Sequence, residues 1–489
     1  MKKFYITTSI VYTNAFPHIG FALEIIQADV VARYHRNLNE DVFYLTGTDE
    51  HGSKISRTAQ LLKKEPKEFV DEISLKYKKL GKILNLSNND FIRTSDQKKH
   101  WPTVEKVWNK LKENDDIYKK KYQGLYCIGC EAFITKKDLK DGKCILHKKE
   151  PEKVEEENYF FRLSKYSEQI KELIEKEKIK IVPKTRKNEL LGFIKQGLED
   201  ISFSRPSKDL KWGIPVPDDD SQTIYVWADA LTNYLSALDY QNNGEKFKKY
   251  WPADVHCIGK DILKFHGLFW PAMLLSLDLS LPKTIFVHGF ISVDGQKMSK
   301  SLGNVVDPFE LVEKYGTDAI RYFLLSEIPS TEDGDFSYQK FEARYNSDLA
   351  GGIGNLVART RGMIKKRKVR KEKINIIIQN SKLEKKIKEV RNNYIKAIDG
   401  FKFNTALKLI WELIGFCDRY IEQEKPWEQK EGSDRVLFDL LYTLKEIADL
   451  LKPFLPETSE KIFKEIEIDE KKEDFKNKES KILFPRVDN

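Results

Sequence analysis

A basic loop at residues 297–301 is the sharpest chemical signal in the sequence. Lys297 and Lys300 stand within four residues of each other, on a loop rich in small polar groups. Two ammonium groups in such a loop can neutralise a polyphosphate, because lysine acts as a mobile point charge. The alternative is an ordinary solvated basic loop. The nucleotide interpretation is favoured because a second phosphate signal also lies at a strand end of the same predicted sheet.

This second signal lies between residues 12 and 21, where a predicted strand passes into a predicted helix. The N-terminus of a helix offers free N–H groups and a positive dipole end to phosphate. His18 can donate a hydrogen bond to a phosphate oxygen, and Gly20, lacking a side chain, lets an adenine ring approach the backbone. For this segment taken alone, the alternative is a loop histidine whose hydrogen bonds are made within the loop and which binds no ligand.

Four residues have the spacing of a metal site. Cys127 and Cys130 form one pair, Cys144 and His147 form another, and thirteen residues separate the two pairs. This spacing is typical of a zinc knuckle. Four protein ligands leave no open position for water, so we predict one structural Zn2+ per chain. The alternative is a chance cluster of surface residues.

Composition restricts the class of protein. The chain has 489 residues, of which 40% are hydrophobic and 12% aromatic, which excludes a wholly disordered protein. Charged residues make up 33%, and no apolar run approaches the ~20 residues that a membrane span needs, so we expect no membrane association. A net charge of +9 permits an acidic partner such as nucleic acid. Five cysteines and an N-terminus without a signal peptide predict a cytoplasmic location.

The elements that must position these residues alternate between strand and helix. Short β-rich runs occur at residues 4–8, 42–46, 255–258 and 285–288. Helical patterns lie between them, which predicts a doubly wound parallel sheet of the α/β class. Ligands bind such sheets beyond the carboxyl ends of the strands, where both phosphate signals fall. The sheet pattern is interrupted over 116–222, which we interpret as an insertion, and helical periodicity dominates from about residue 325, with an apolar stripe from Leu437 to Leu451.

These motifs resemble the HIGH and KMSKS signatures of class I aminoacyl-tRNA synthetases, and neighbouring residues narrow the resemblance to the methionyl-tRNA synthetase family. The resemblance spans most of the chain in the expected order and rests on residues 12–20, 47–52, 127–147, 212–217, 225–230, 259–270, 297–301, 355–359 and 426–427. It implies a Rossmann-like parallel sheet split by a zinc-binding insertion and followed by an all-α helical-bundle anticodon-binding domain. The implied boundaries are 1–115 and 223–325 for the two halves of the catalytic domain, 116–222 for the insertion, 326–350 for a linker, and 351–489 for the anticodon-binding domain.

The resemblance also implies a reaction. L-Methionine and ATP, accompanied by Mg2+, give methionyl-adenylate and pyrophosphate, and the methionyl group then passes to the terminal adenosine of tRNA(Met), of the initiator type and also of the elongator type. The implied catalytic residues are His18, Gly20, Lys297 and Lys300. The residues implied to bind ATP or the adenylate are Asn14, His18, Gly20, Gly259, Asp261 and Lys300, with Asp261 at the ribose.

By the same resemblance, Asp49 binds the ammonium group of methionine. The implied side-chain pocket consists of Ile10, Tyr12, Trp227, Ala230, Leu231, Tyr234, Ile262, His266 and Trp270. Aromatic walls suit a polarizable thioether, and Tyr234 and His266 can offer the sulfur a hydrogen-bond donor. The alternative is that these aromatic residues are ordinary core.

Three further residues, Asn355, Arg359 and Trp427, match family positions that contact the anticodon. A guanidinium and an indole can read and stack on splayed bases. The alternative is an ordinary helix surface with one exposed tryptophan.

Phe21 departs from the family pattern, because related sequences often carry His or Asn there. One possible phosphate contact is therefore lost, and we expect Phe21→His to leave activity unchanged or to raise it. No appended tRNA-binding module follows Arg486, so we expect a monomer. Two other functions stay open: an adenylyl-transferring enzyme acting on a small cofactor precursor, and a non-catalytic, zinc-bearing RNA-binding protein that has kept the fold.

Overall fold

The chain forms two compact units. The computed structural model describes residues 1–129, 132–134, 138–298, 303–367, 378, 380–428, 430–466, 468–469, 474–475 and 482–487. The first unit comprises Met1–Pro17, Leu38–Lys82 and Ser87–His288, and the second comprises His18–Asn37, Ile83–Leu86 and Gly289–Asn489. In these described ranges, no helix is both long and apolar enough to cross a membrane.

Twenty-one strands are found in the described part of the chain. They are β1 (Lys3–Thr8), β2 (Val11–Tyr12), β3 (Asp41–Asp49), β4 (Asp90–Arg93), β5 (Ile117–Cys127), β6 (Ala132–Ile134), β7 (Leu139–Lys140), β8 (Lys143–Cys144), β9 (Glu152–Phe161), β10 (Lys180–Val182), β11 (Ile201–Ser202), β12 (Ser204–Pro206), β13 (Pro215–Val216), β14 (Asp219–Ile224), β15 (Val255–Gly259), β16 (Thr284–His288), β17 (Ile291–Val293), β18 (Gln296–Lys297), β19 (Gly334–Phe336), β20 (Ile468–Asp469) and β21 (Asp474–Phe475).

The α-helices of the same ranges are α1 (Ile19–Asn37), α2 (Ser53–Leu61), α3 (Pro66–Ile83), α4 (Trp101–Glu113), α5 (Ser167–Glu175), α6 (Lys184–Lys195), α7 (Val226–Leu231), α8 (Asn233–Ser236), α9 (Glu245–Tyr250), α10 (Trp270–Ser276), α11 (Pro308–Tyr315), α12 (Thr317–Ser326), α13 (Tyr338–Arg344), α14 (Asn355–Arg367), α15 (Ser381–Asp399), α16 (Phe403–Glu424), α17 (Ser433–Leu451) and α18 (Pro456–Glu465). Two π-helical segments, Phe265–Phe269 and Tyr345–Gly354, lead directly into α10 and α14. Short 3-10 turns are formed by Leu163–Tyr166, Tyr240–Asn242, Lys260–Ile262 and Pro426–Glu428.

A seven-stranded parallel sheet organises the first unit. Its order is β10-β16-β15-β1-β3-β2, with β4 also paired to β3, and every pairing is parallel. The sequence of β1 is buried along nearly its whole length, as expected for a strand covered on both faces. The chain passes from β1 to β3 on one side, and β15 pairs with β1 on the other, so the strand order reverses at β1. Such a reversal marks the edge where sheets of this kind bind ligands.

Two details of the sheet were not predicted. Strand β3 continues to Asp49, beyond the predicted end at Thr46, because Gly47 lets β4 approach closely: a Cβ on Gly47 would lie 2.2 Å from the carbonyl oxygen of Ile92. Strand β10 lies inside the segment interpreted as an insertion, yet it pairs with β16 at the edge of the main sheet. Its three residues are too few to give a periodic signal. The other strands between 117 and 224 form separate antiparallel sheets, β11-β9-β5-β6, β12-β14-β13 and the hairpin β7-β8.

Helices dominate the second unit. The predicted apolar stripe lies on α17, where Leu437, Leu440, Leu444, Ile447 and Leu451 are each at most 1% exposed. Burial of such side chains stabilises a fold by about 1.5–3 kcal/mol each.

A fully buried arginine joins separate stretches of the second unit. The Arg321 guanidinium on α12 lies 2.8 Å from Asp29 Oδ2 on α1. It also donates to the carbonyl oxygens of Phe454 at 2.7 Å, Pro453 at 2.9 Å and Leu84 at 3.1 Å. A buried guanidinium is tolerated only where its charge and N–H groups are matched in this way.

Candidate active site

The first unit places predicted ligand-binding residues at the carboxyl ends of its central strands. Ile10 and Tyr12 follow β1, Asp49 ends β3, and Gly259 and Asp261 end and follow β15. The parallel pairing of β3 and β15 with β1 brings these strand ends to one edge of the sheet. This is the edge at which the strand order reverses, so the fold gives these residues the position that the sequence predicted.

Asp49 and Tyr12 are partners across neighbouring strands. Both the backbone N–H and the hydroxyl of Thr13 donate to the carbonyl oxygen of Asp49 at 3.0 Å, which fixes the backbone beside the nearly buried carboxylate. The Asn14 amide donates to Tyr12 O and accepts from Lys54 Nζ, both at 3.1 Å. The Lys54 ammonium lies 5.7 Å from the centre of the Tyr12 ring. Lys54 is thus a cation at this edge that was not predicted as a site residue.

Tyr234 and His266 satisfy each other. The Tyr234 hydroxyl lies 2.8 Å from His266 Nε2, and His266 Nδ1 lies 3.1 Å from the carbonyl oxygen of Ile262. A carbonyl can only accept, so Nδ1 carries the hydrogen and Nε2 accepts from the tyrosine. Burial lowers the pKa of His266 to about 4, so the imidazole is neutral at pH 7. The hydroxyl hydrogen of Tyr234 is therefore directed at His266.

Trp270 donates its indole N–H to a second buried imidazole, His256 on β15. The distance from Trp270 Nε1 to His256 Nε2 is 3.2 Å, and His256 Nδ1 lies 2.7 Å from the Thr7 hydroxyl. The ring of Tyr234 packs against His256 with 4.3 Å between ring centres. Burial, aided by the nearby His266, holds the pKa of His256 well below its ordinary value. His256 was not predicted as a site residue.

The remaining predicted pocket residues lie on α7 and around it. Ala230 and Leu231 are buried on α7, and Trp227 on the same helix stacks on Phe265 with ring centres 3.7 Å apart and planes 9° apart. The hydrophobic cluster that holds Leu231, Tyr234 and Trp270 is flanked by partly buried side chains that include Ile10, Tyr12, Trp227 and Ile262. Phe265, also unpredicted, is the aromatic surface on which Trp227 rests.

A buried carboxylate anchors α7. Asp229 accepts from His51 Nδ1 and from His100 Nε2, each at 2.7 Å, and all three residues are at most 1% exposed. Burial alone would raise the pKa of Asp229, but the two imidazoles outweigh it and hold that pKa below its usual range. Because His51 follows Asp49 by two residues, this cluster links the end of β3 to the helix that carries Trp227.

The second unit brings the two phosphate signals together. The N–H of Gly20 donates to His18 Nδ1 at 3.1 Å, so Nε2 carries the ring hydrogen. Burial lowers the pKa of His18, which keeps the imidazole neutral at pH 7. A Cβ on Gly20 would lie 3.4 Å from Met298 Cε, and Ile19 N donates to Val306 O at 3.3 Å. Met298 in the basic loop and Val306 beyond it therefore lie beside the start of α1.

Lys297 and Phe21 differ in exposure. Lys297 is exposed on β18, whereas Lys300 lies outside the described residues. Phe21 is buried, with 8% of its surface exposed, so its side chain has a packing role in this fold.

Three of the four predicted metal ligands converge. Cys127 Sγ and Cys144 Sγ each lie 3.9 Å from His147 Nδ1, and the ligand atoms all lie within 4.8 Å of one another. Tetrahedral Zn2+ with ordinary bond lengths holds such atoms about 3.5 Å apart, so the donor set and spacing fit this ion. A Cβ on Gly129 would lie 2.4 Å from the His147 ring, which explains the glycine in the first pair. Cys130 lies outside the described residues.

Of the predicted anticodon residues, Asn355 and Arg359 lie four residues apart on α14, and therefore on one face. Arg359 pairs with Glu422 in the last turn of α16 at 2.6 Å. Trp427 follows α16 in the turn Pro426–Glu428 and is 44% exposed.

Comparison with family models defines the class of protein. A model described as tRNA synthetases class I (M) matches residues 4–139 and 130–361. A model of the anticodon-binding domain of tRNA ligase matches residues 380–488.

Individual relatives narrow the assignment. The methionine–tRNA ligases of Thermotoga maritima and Bacillus subtilis are 44% and 41% identical to this chain, over 96% and 100% of its length and 76% and 78% of theirs. A solved structure of Mycobacterium tuberculosis methionyl-tRNA synthetase in complex with methionyl-adenylate matches with a TM-score of 0.89 at 36% identity, over 97% of this chain and 96% of that one. The chain therefore belongs to the methionine–tRNA ligase family of ATP-dependent aminoacyl-tRNA synthetases.

The predicted family, enzyme class and fold class are thereby confirmed. The roles of individual site residues and the domain boundaries stay predictions. His256, Phe265 and Lys54 were missed because each acts through contacts with distant parts of the chain. A weak signal existed for His256, an imidazole inside an otherwise apolar strand.

Proposed function

We propose that this chain charges tRNA(Met) with L-methionine in two chemical steps. A carboxylate oxygen of methionine attacks the α-phosphorus of ATP, the bond to the β-phosphate bridge breaks, and pyrophosphate leaves. A ribose hydroxyl of the terminal adenosine of tRNA then attacks the adenylate carbonyl, and AMP leaves. The observation that carries this proposal is that Met298 in the basic loop and Val306 beyond it lie beside the start of α1.

In the second unit, His18 and the basic loop act on the phosphates. His18 Nδ1 is occupied by the Gly20 N–H, so Nε2–H is the atom available to a phosphate oxygen. Lys297 and Lys300 neutralise the charge that develops on the departing pyrophosphate, and charge stabilisation of this kind is the largest contribution in many enzymes. Mg2+ bound with ATP would neutralise further phosphate charge.

In the first unit, Asp49 receives the ammonium group of methionine. Its carboxylate is nearly buried, and its backbone is fixed by Thr13, which suits a charge that must be held in one place. The thioether occupies the aromatic pocket. Because Tyr234 and His266 already satisfy each other, the pocket offers the sulfur polarizable ring surfaces rather than a strong hydrogen bond. Gly259 and Asp261, at the end of β15, receive the ribose of the adenylate.

Zinc would be held by Cys127, Cys130, Cys144 and His147, and it would hold the β7-β8 hairpin to the end of β5. Asn355, Arg359 and Trp427 are proposed to read the anticodon, which requires Arg359 to release Glu422 or to present its other face. We propose a monomer in the cytoplasm that serves the initiator tRNA and also the elongator tRNA.

The decisive test is ATP–pyrophosphate exchange with each of the twenty amino acids in turn. We expect exchange with methionine alone, followed by charging of tRNA(Met). Exchange with another amino acid, or none, would contradict the proposal and revive the two alternatives of a different adenylyl transferase and a non-catalytic RNA-binding protein.

Lys300→Ala should lower the rate of exchange by about a hundredfold or more, with little change in methionine affinity, because the charge that Lys300 stabilises develops in the transition state. Lys464→Ala, an exposed lysine on α18, is the matched control and should leave exchange unchanged. An unchanged rate for Lys300→Ala would remove this residue from the mechanism.

A further inference from the structure

Behind the proposed methionine pocket lies an imidazole that no pocket assignment includes. His256 is fully buried on β15, one strand away from the centre of the sheet. Three contacts join it to the pocket or to the sheet: it accepts from Trp270, faces the hydroxyl of Thr7, and supports the ring of Tyr234. His256 therefore contacts two of the predicted pocket walls.

The hydrogen positions follow from the donors. The indole N–H of Trp270 can only donate, so Nε2 of His256 accepts, and Nδ1–H points at the hydroxyl oxygen of Thr7. Thr7 lies opposite His256 in the β1–β15 pairing, so the sheet itself sets this orientation. Trp270 is fully buried, so without an acceptor at Nε2 its indole N–H would have no water to bond to and would need another protein acceptor.

We propose that His256 is a positioning residue that sets side-chain specificity. It accepts the Trp270 N–H and supports the Tyr234 ring, so that the pocket presents aromatic surfaces and no unpaired indole donor to the amino-acid side chain. This inference rests on the proposed function, because it takes Tyr234 and Trp270 as walls of the methionine pocket. An apolar thioether is favoured by such a lining, and a polar side chain of similar length is not.

A matched pair of variants separates this role from a merely structural one. In His256→Gln the amide oxygen reaches the position of Nε2 and keeps an acceptor for Trp270. In His256→Asn the amide nitrogen reaches the position of Nδ1. This variant keeps the hydrogen bond to Thr7 and loses the acceptor for the indole N–H of Trp270. Ser276→Ala, which removes a buried hydrogen bond to Asp116 from the same helix as Trp270, is the control for lost stability alone.

The measurements are KM values for methionine and ATP in pyrophosphate exchange, with norleucine and glutamine as competing substrates, and thermal unfolding of each variant. For His256→Asn we expect the KM for methionine to rise about tenfold while the KM for ATP stays within about twofold, as one unpaired buried donor predicts. The preference for methionine over glutamine should fall, and the preference over norleucine should not. His256→Gln and Ser276→Ala should keep the KM for methionine near the wild-type value.

Equal KM values for His256→Asn and His256→Gln would overturn the inference and leave the proposed function standing. Absence of methionine-dependent exchange in the wild-type protein would overturn both. If His256→Asn does not fold, the test is made in the Trp270→Phe background, which lacks the indole N–H donor. Adding His256→Asn to Trp270→Phe should change the KM for methionine by less than about twofold. A full tenfold change would refute the inference.

Discussion

At the scale of single residues, Gly20 shows how little room the phosphate-binding turn has. A Cβ there would lie 3.0 Å from the His18 ring and 3.4 Å from Met298. Gly20→Ala should therefore displace the imidazole and lower the rate of pyrophosphate exchange by about tenfold or more, since misplacement of about 1 Å can cost that much. The control is Gly192→Ala on α6, where no atom lies within 4 Å of the new Cβ. Equal rates for Gly20→Ala and Gly192→Ala would contradict this reading.

His266 gives a prediction for pH. Its pKa is about 4 in the folded chain because of burial, against an ordinary value of 6.5. Between these values the unfolded chain binds a proton that the folded chain excludes, so the free energy of unfolding falls as the pH falls from 6.5 towards 4. The loss from His266 is about 3 kcal/mol at 1.36 kcal/mol per unit. Urea unfolding of His266→Gln should show a shallower pH dependence than the wild type, and equal slopes would contradict this assignment.

The residues that could be predicted from sequence are those whose chemistry lies in a short motif. His18, Gly20, Cys127, Cys144 and His147 belong to this group, and the structure brings the members of each motif together. His256 does not, because its partners Thr7 and Trp270 stand 249 and 14 residues away, and only strand pairing and the packing of α10 bring them together.

At the scale of elements, Asp229 holds α7 to the end of β3 and to the start of α4. Asp229→Ala leaves the buried N–H groups of two imidazoles without their common acceptor, and each unpaired buried donor costs about 1–3 kcal/mol. The denaturant midpoint should fall accordingly. Glu245→Ala, which breaks an exposed pair with Lys248, should change stability by less than about 1 kcal/mol. Equal effects of the two variants would show that the Asp229 cluster is not an anchor.

Elements were predicted correctly where a buried strand or helix face has a continuous pattern of apolar residues in the sequence. The strands β1, β15 and β16 begin and end within one residue of the predicted runs, because each is a short apolar run buried on both faces. The apolar stripe of α17 was equally plain. Strand β10 was missed because three residues carry no periodicity, and the end of β3 was missed because it depends on the space beside Gly47.

At the scale of the whole molecule, Arg321 joins stretches of the second unit that lie far apart in the sequence. Arg321→Met takes one guanidinium away from the fully buried carboxylate of Asp29, which Arg33 also contacts at 2.7 Å, and we expect a loss of about 3–5 kcal/mol in the free energy of unfolding. The double variant Arg321→Met with Asp29→Leu should recover a large part of this loss, because it also removes the buried carboxylate that Arg321 neutralises. A double variant no more stable than the single one would refute this account.

The net charge of +9 gives a prediction for tRNA. The KM for tRNA in the charging reaction should rise about tenfold or more between 50 and 200 mM salt, because phosphate contacts release counterions. Pyrophosphate exchange, which needs no tRNA, should change by less than about twofold over the same range. A KM for tRNA that does not respond to salt would argue against a charged contact surface.

The pairing of Asp29 with Arg321 also bears on how the protein is made. The helix that begins with the phosphate-binding turn leaves the ribosome roughly 290 residues before the guanidinium that neutralises its buried carboxylate, a delay of roughly 15–60 s at bacterial and eukaryotic elongation rates. During that interval the carboxylate of Asp29 lacks the guanidinium that pairs with it in the folded chain. The native environment of α1 is therefore completed only after α12 has been synthesised.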